Sequence, residues 1–418
     1  MPENAASPSA PPSRADVAIV GGGLVGLTLA AALGKAGLTV TVIDRDRPST
    51  HVAPEYDGRS SAIALGSARV FRGVGLWPLL QDHAQPIWDI RVADGHVLRG
   101  VSPLFLHYDH ADIGDDPFGY IIENRYTRAA LHSHIPTLET VTWLAPDAAT
   151  RVDRDAHAAT VHLESGKTVR ASLVIAADGK KSAIRAGAGI RTTGWDYDQT
   201  SIVCTVRHAR SHNGTAVELF LPGGPFAILP MTDDRSNIVW SDQRDRAAAI
   251  MALDDDAFLE ELSARFGDWL GKIELVGPRF AFPLSLSHAE TYVAQRLALV
   301  GDAGHAIHPI AGQGLNMGLR DVAALADVLV DARRLGMDLG APDVLQRYER
   351  WRRFDNVLLA AVTDGLTRLF SNDVPPVRLA RDIGLAAVNR LPPAKKFLMR
   401  HAMGVVGELP RLIRGEAL

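Results

Sequence analysis

The run Asp16-Val-Ala-Ile-Val20, then Gly21-Gly22-Gly23-Leu24-Val25-Gly26, with Asp44 lying 18 residues beyond the last glycine, decides the fold. A short apolar run ending in glycine reads as a buried strand. Leu24 to Lys35 carries a helical apolar pattern, and Leu38-Thr-Val-Thr-Val-Ile43 is a second strand. Strand, helix and strand in that order form a βαβ unit, which implies a parallel sheet. The glycines satisfy G-x-G-x-x-G: Gly21 permits the tight turn, Gly23 lets backbone approach a pyrophosphate, and Gly26 allows close helix–strand packing. Amides at the helix N-terminus favour phosphates, and a carboxylate at Asp44 can accept hydrogen bonds from a ribose. The motif alone does not separate FAD from NAD, and a purely structural strand–helix turn also satisfies it.

Composition bounds the rest. A chain of 418 residues has room for two or three domains and a sizeable core. With 47% hydrophobic and 22% charged residues, wholesale disorder is excluded. The 44 basic residues against 48 acids argue against a dedicated nucleic-acid binder. Cys204 is the sole cysteine, so no internal disulfide can form, which suits a reducing compartment. Residues 1–13 read as a disordered arm, not a targeting signal. No apolar run approaches the ~18 residues of a membrane span. The expected location is cytoplasmic, with peripheral contact on the inner face of the cytoplasmic membrane left open.

Further along, Ser61 to Leu80 reads as helix, Ala84 to Phe118 as short strands and loops, and Ile121 to His134 as helix again. Alternating strands follow over Thr140 to Ala177, and at least three more over Ile202 to Trp240. Asp254 to Phe266 is an amphipathic helix and Arg296 to Val300 a buried strand. Helices are predicted over Gly318 to Leu335 and Pro342 to Phe370, followed by a tail from Val374.

Two other strands end in acid–glycine loops. Leu173-Val-Ile-Ala-Ala177 runs into Asp178-Gly179, and Leu297-Ala-Leu-Val300 into Gly301-Asp302, followed by the glycine-rich stretch to Gly318. Together with the first glycine loop, these motifs resemble those of flavoprotein aromatic hydroxylases of the para-hydroxybenzoate hydroxylase class. The stretch GDAGHAIHPIAGQGLNMGLRD (301–321) is most similar to the branch that hydroxylates ubiquinone precursors. Asp57-Gly-Arg59-Ser-Ser-Ala-Ile-Ala64, Tyr348 to Asn356 and Asp364 to Phe370 extend the resemblance from about Ala15 to Phe370.

The resemblance implies an α/β fold: a discontinuous Rossmann-like FAD domain, an inserted mixed-sheet substrate domain and a helical C-terminal region. The expected boundaries are 14–83, 119–190 and 289–335 for the FAD domain, 84–118 and 191–288 for the substrate domain, and 336–418 for the helical region. It implies that Gly21, Gly23 and Gly26 hold the FAD pyrophosphate and Asp44 the adenosine ribose. Arg59 and Arg128 would contact the cofactor, and Asp302 its ribityl chain. Amides around Gly314, Leu315 and Asn316 would face the flavin, beside a loop shaped by Pro309, Gly312 and Gly314. Asp178 and Gly179 would help to place both FAD and a transient donor, NAD(P)H or reduced ferredoxin; no second G-x-G-x-x-G is present to hold a nicotinamide permanently.

The implied activity is an FAD-dependent monooxygenase hydroxylating a polyprenylated phenol with O₂, through a flavin C4a-hydroperoxide. Hydroxylation of another aromatic compound, or a non-catalytic flavoprotein scaffold, stays open. Such chemistry resides on the cofactor, so no protein nucleophile is needed, and no G-x-S-x-G or H-E-x-x-H motif is present. Val203, Val217, Leu219, Phe220 and Phe226 to Leu229 are candidates for a wall that excludes water, with plain core as the alternative. His305 and His308 have poor zinc spacing and read as polar loop contacts near the flavin. Cys204 reads as a buried hydrophobe. Residues 376–418 carry eight Arg and Lys among apolar residues, which suits either a membrane surface or a packed helix.

Overall fold

Ser13–Val20 is flanked on both sides by parallel strands, so it is apolar on both faces and fully buried from Val17 to Val20. Val17 to Val20 pair with Val40 to Ile43 on one side and with Leu173 to Ala176 on the other. A computed structural model describes residues 13–53, 58–96, 100–307, 312–370, 381, 384 and 387–418. Five strands run parallel in the order Leu297–Leu299, Thr168–Ala176, Ser13–Val20, Val40–Ile43 and Val141–Leu144. An antiparallel hairpin, Ala149–Arg154 and Ala159–Leu163, extends the same sheet. Leu24–Lys35 packs between this sheet and Gln313–Arg334, which in turn packs on Pro342–Phe370.

The second sheet has nine strands and is almost wholly antiparallel. Its two long strands, Thr192–His208 and Ile273–Ala289, run side by side for most of their length, and Ser287 and His288 pair with Ala306 and His305 just beyond the Leu297–Leu299 strand of the first sheet. Arg235–Gln243, Gly224–Met231, Thr215–Leu221 and Asp89–His96 follow in order. Because side chains alternate between faces, Ile202, Cys204, Phe226, Ile228, Ile238 and Trp240 point to one side. There they pack on the helices Arg244–Met251 and Asp255–Phe266. The opposite face is turned to a cavity.

Three predicted elements come out differently. Ser61 to Leu80 is not one helix: Ser60–Ala64 is a strand and the helix is Leu65–Val74. Likewise Ile121 to His134 splits into the strand Gly119–Glu123 and the helix Asn124–His134. The two strands are each other's partners, Ser60 opposite Glu123 through Ala64 opposite Gly119. Long-range pairing overrode the helical reading of two short apolar runs. The third helix begins at Gln313, not Gly318. No helix among the described residues is long and apolar enough to cross a membrane.

Candidate active site

The parallel strands all end on one edge, and their loops converge there. This is where open parallel sheets bind ligands, because the diverging chains leave a crevice. Gly21, Gly22 and Gly23 follow the first strand, Asp44 the second, Asp178 and Gly179 the third, and Asp302 the fourth; all line one cavity of about 1750 Å³. That volume exceeds the ~300–1,000 Å³ of an ordinary small-ligand pocket. Arg59, Arg128, Gly312, Gly314, Leu315 and Asn316 line it too. Gly26 does not line it: a Cβ there would sit 2.0 Å from the Gly21 carbonyl oxygen, so its bare backbone lets the helix pack close to the first glycine turn. Pro309 and His308 lie outside the described residues.

The glycines divide into two kinds. Gly21 has φ +114° and a Cβ on it would lie 2.3 Å from the Ala177 carbonyl oxygen, so the turn excludes side chains. Gly23 and Gly314, by contrast, have nothing within 4 Å of the Cβ position. Both open onto the cavity, as a backbone must if a ligand is to approach it closely. The helix Gln313–Arg334 begins at the cavity, after Gly312 at φ +61°, and directs its N-terminal amides there.

The acids sit in different surroundings. Asp44 accepts hydrogen bonds from the amides of Gly22 and Asp46, which fixes the first glycine loop to the second strand. Asp178 Oδ2 accepts from the Ile184 amide at 3.3 Å, while its buried Oδ1 has no partner among the described residues. That unmet acceptor and the open glycine positions fit a dinucleotide with hydroxyls and phosphates to offer. Burial raises the Asp302 pKa, opposed by the positive charges of His305, Arg59 and Lys180.

Asn316, expected to present its backbone amide to the flavin, lines the cavity and also holds the loop with its side chain. Its side chain is buried, accepting from the Ala64 amide at 2.9 Å and donating to the Ala62 and Gly312 carbonyls at 2.7 and 3.1 Å. It clamps the strand Ser60–Ala64 to the glycine-rich loop. Ser61 similarly donates to Asn124 at 2.6 Å. Arg59 lies over the Phe282 ring, 4.8 Å from its centroid.

His305 departs from the reading as a contact near the flavin. It is buried, and its Nε2 meets Asp321. Asp321 also accepts from the Gly301 amide at 3.0 Å, Arg352 Nε at 2.9 Å and Asn356 at 3.3 Å. Burial alone would raise the Asp321 pKa, but His305 and Arg352 hold it well below the carboxylate range. This cluster ties the Gly301-Asp302 turn to Pro342–Phe370. Sequence reading missed it because its members are scattered over fifty residues.

Of the predicted apolar wall, Val203, Phe220, Ala227 and Leu229 line the cavity. Leu219, Phe226 and Ile228 are core instead, and Val217, though it reaches the cavity, packs mainly with them. They lie on the alternate face of the same strands. Missed altogether were the polar groups on the cavity face: Tyr108, Ser201, Glu218, Asn237 and Ser241. Each is a polar residue within a strand, and nothing local told which face of the strand it occupies. Cys204 is buried and its thiol is pushed up to about 12 by that burial, so it is an inert core residue.

Residues 14–354 match the family described as FAD binding domain. The chain is 54% identical over 409 residues to ubiquinone hydroxylase UbiL of Rhodospirillum rubrum, covering 97% of this chain and 94% of the relative. Over 392 residues it is 35% identical to 3-demethoxyubiquinol 3-hydroxylase of Escherichia coli, covering 93% and 98%. The crystal structure of p-nitrophenol 4-monooxygenase PnpA from Pseudomonas putida DLL-E4 shares its fold, with a TM-score of 0.78 at 20% identity over 95% of this chain and 100% of that one. A match over most of the length, on a cavity shaped for a dinucleotide, leads to one assignment: this chain belongs to the FAD-binding domain family and is an FAD-dependent monooxygenase.

Proposed function

We propose that the chain hydroxylates the aromatic ring of a polyprenylated phenol on the route to ubiquinone. One observation carries the reading. The cavity continues from the dinucleotide loops, under the second sheet, to the C-terminal helices, where Val362, Leu369, Val388 and Leu398 line it. An apolar passage beside a redox cofactor suits an aromatic head joined to an isoprenoid chain, and the relatives at 54% and 35% identity carry ubiquinone hydroxylase names.

In this reading Gly21, Gly23 and Gly26 shape the pyrophosphate cradle, and Asp44 meets the adenosine ribose. Arg59 and Arg128 balance the phosphates, Asp302 accepts from the ribityl hydroxyls, and amides around Gly314, Leu315 and Asn316 face the flavin. Asp178 and Gly179 serve both the cofactor and a visiting donor, NAD(P)H or a reduced ferredoxin. Bound FAD supplies electron transfer and oxygen activation. The apolar sheet face keeps water from the reacting centre.

The test is the mass profile of quinone lipids in cells lacking this gene, with the intact copy or an Asp302→Ala copy restored. A prenylphenol short of one or more oxygens should accumulate and disappear only with the intact copy. An unchanged profile, with no second hydroxylase present, would remove the ubiquinone substrate and leave another aromatic in its place.

We also propose that the C-terminal face rests on an anionic lipid surface, where a prenylated substrate resides. Four of the eight basic residues of the tail are committed elsewhere: Arg381 to Asp94, Lys395 to Asp112, Arg411 to Asp327 and Arg414 to Glu416. Arg390, Lys396 and Arg400 are exposed, beside exposed Leu391, Phe397 and Leu398. Pro342–Phe370 adds exposed Phe354, Val357, Leu358 and Val362, with Arg350 and Arg353 close by in sequence. Mixed apolar and basic exposure of this kind suits an anionic interface. The holoenzyme should co-sediment with anionic vesicles and less with zwitterionic ones, and Phe354→Ser should weaken that binding; equal recovery with both would defeat it.

A further inference from the structure

Glu218 stands on the strand Thr215–Leu221 with its side chain on the cavity face, between Ala216 and Phe220. Its cross-strand neighbours are Ala227 on one side and Val92 on the other. It is the one acid among the described residues by which the second sheet lines the cavity. No hydrogen bond or ion pair within the described chain engages it. A carboxylate placed among apolar side chains without a partner is costly, so a chain that keeps one there has a use for it when the cavity is filled.

We infer that Glu218 is the catalytic base that takes the proton of the substrate's ring hydroxyl. The inference rests on the reading of the cavity as the site of a phenol. In this step the substrate O–H bond breaks and an O–H bond forms on the Glu218 carboxylate. The electron pair stays on the substrate oxygen, where it raises electron density at the ring carbons ortho and para to it. Those are the carbons an electrophilic oxygen attacks. The proton returns to the product oxygen when the hydroxylated ring leaves, so the residue ends as it began and no redox change falls on the protein.

The surroundings suit the role. Burial pushes the Glu218 pKa up to about 7, near the value a general base needs at neutral pH. No neighbouring charge offsets this. On the adjoining strand Asp94 is already paired with Arg381 at 2.6 Å. Tyr108, on the next strand out, is pushed up to about 12 by its own burial and stays neutral. From Gly224–Met231 only Pro225, Ala227 and Leu229 face the cavity. Across the cavity Arg59, Lys180 and Asp302 belong to the cofactor wall.

The experiment is a single turnover of the FAD-loaded enzyme with a short-chain prenylated phenol. The flavin is reduced photochemically, so the natural donor is not needed, and O₂ is then added. Wild type, Glu218→Gln and Glu218→Asp are compared for flavin content, melting temperature, the ultraviolet phenolate band of the bound substrate, and product rate against pH. The wild-type rate should rise as pH passes through about 7. Glu218→Gln should keep its flavin, lose the phenolate band and that pH limb, and make product at least ~100-fold more slowly; Glu218→Asp should recover part of both. A Glu218→Gln holoenzyme with the wild-type band and pH profile would overturn the inference and leave the proposed function standing. If wild type itself hydroxylates no prenylated phenol, the proposed function falls and the role of Glu218 falls with it.

Discussion

The cavity has two walls built on different physics. The wall proposed to hold the cofactor consists of loop backbone at the ends of parallel strands: open glycines, a helix N-terminus and the acids Asp44, Asp178 and Asp302. The wall proposed to face the substrate is one side of a mostly antiparallel sheet, apolar apart from a few isolated polar groups, with a packed core directly behind it. On the first wall, the backbone path itself shapes the cavity, so local sterics dictate the residue. On the second, only the parity of a position along its strand separates a cavity residue from a core residue.

The largest effect should come from the cofactor wall. Asp302→Ala should abolish hydroxylation and strip the flavin while the melting temperature of the flavin-free chain stays close to wild type; normal flavin content would show that the cofactor lies elsewhere. Next comes a direct test of the second wall, on adjacent residues of one strand. Ile228 is fully buried in the core behind the sheet, so Ile228→Ala should destabilise by about 2–5 kcal/mol. Leu229 faces the cavity, so Leu229→Ala should cost about 1 kcal/mol or less and raise the KM for the phenol instead. Similar losses of stability in both variants would erase the distinction between the two faces.

Glu218 gives a pH signature of stability. Its folded pKa of about 7 lies above the 4.5 of an ordinary glutamate. The folded chain therefore holds a proton that the unfolded chain has released between those values, and stability falls as pH rises through that window, then levels off. Glu218→Gln should remove this slope, making the flavin-free variant the more stable form at pH 8 by at most about 3 kcal/mol. Parallel melting curves for the two proteins at pH 5 and pH 8 would refute it. The smallest effect is on the other wall: Gly23→Ala should shift the melting temperature little, since nothing lies within 4 Å of the added carbon, yet weaken FAD binding. Gly21→Ala should instead fail at the fold, and calorimetry with flavin titration separates the two.

Much of the first wall was legible because its constraints are short-ranged. Gly21, Asp44, Asp178, Gly179 and Asp302 each follow a strand within three residues, and strand ends in a parallel sheet share an edge whatever the rest does. The second wall was only half legible. Phe220 and Phe226 look alike in sequence, yet one faces the cavity and the other Trp240. With helices packed behind the sheet and an apolar cavity in front, both faces are hydrophobic and the usual inside–outside contrast disappears.

From sequence alone came the parallel nucleotide sheet, its glycine loop, the acid-tipped loops and the long helices, because each follows from backbone sterics or from periodicity within a few turns. Tertiary structure alone decided the pairing of Ser60–Ala64 with Gly119–Glu123, the burial of His305 against Asp321, the Asp94–Arg381 pair across the chain and the exposure of Glu218 to the cavity. Each of these depends on groups far apart in the chain meeting at hydrogen-bond distance, or on which face of a strand meets empty space, and no local pattern encodes either.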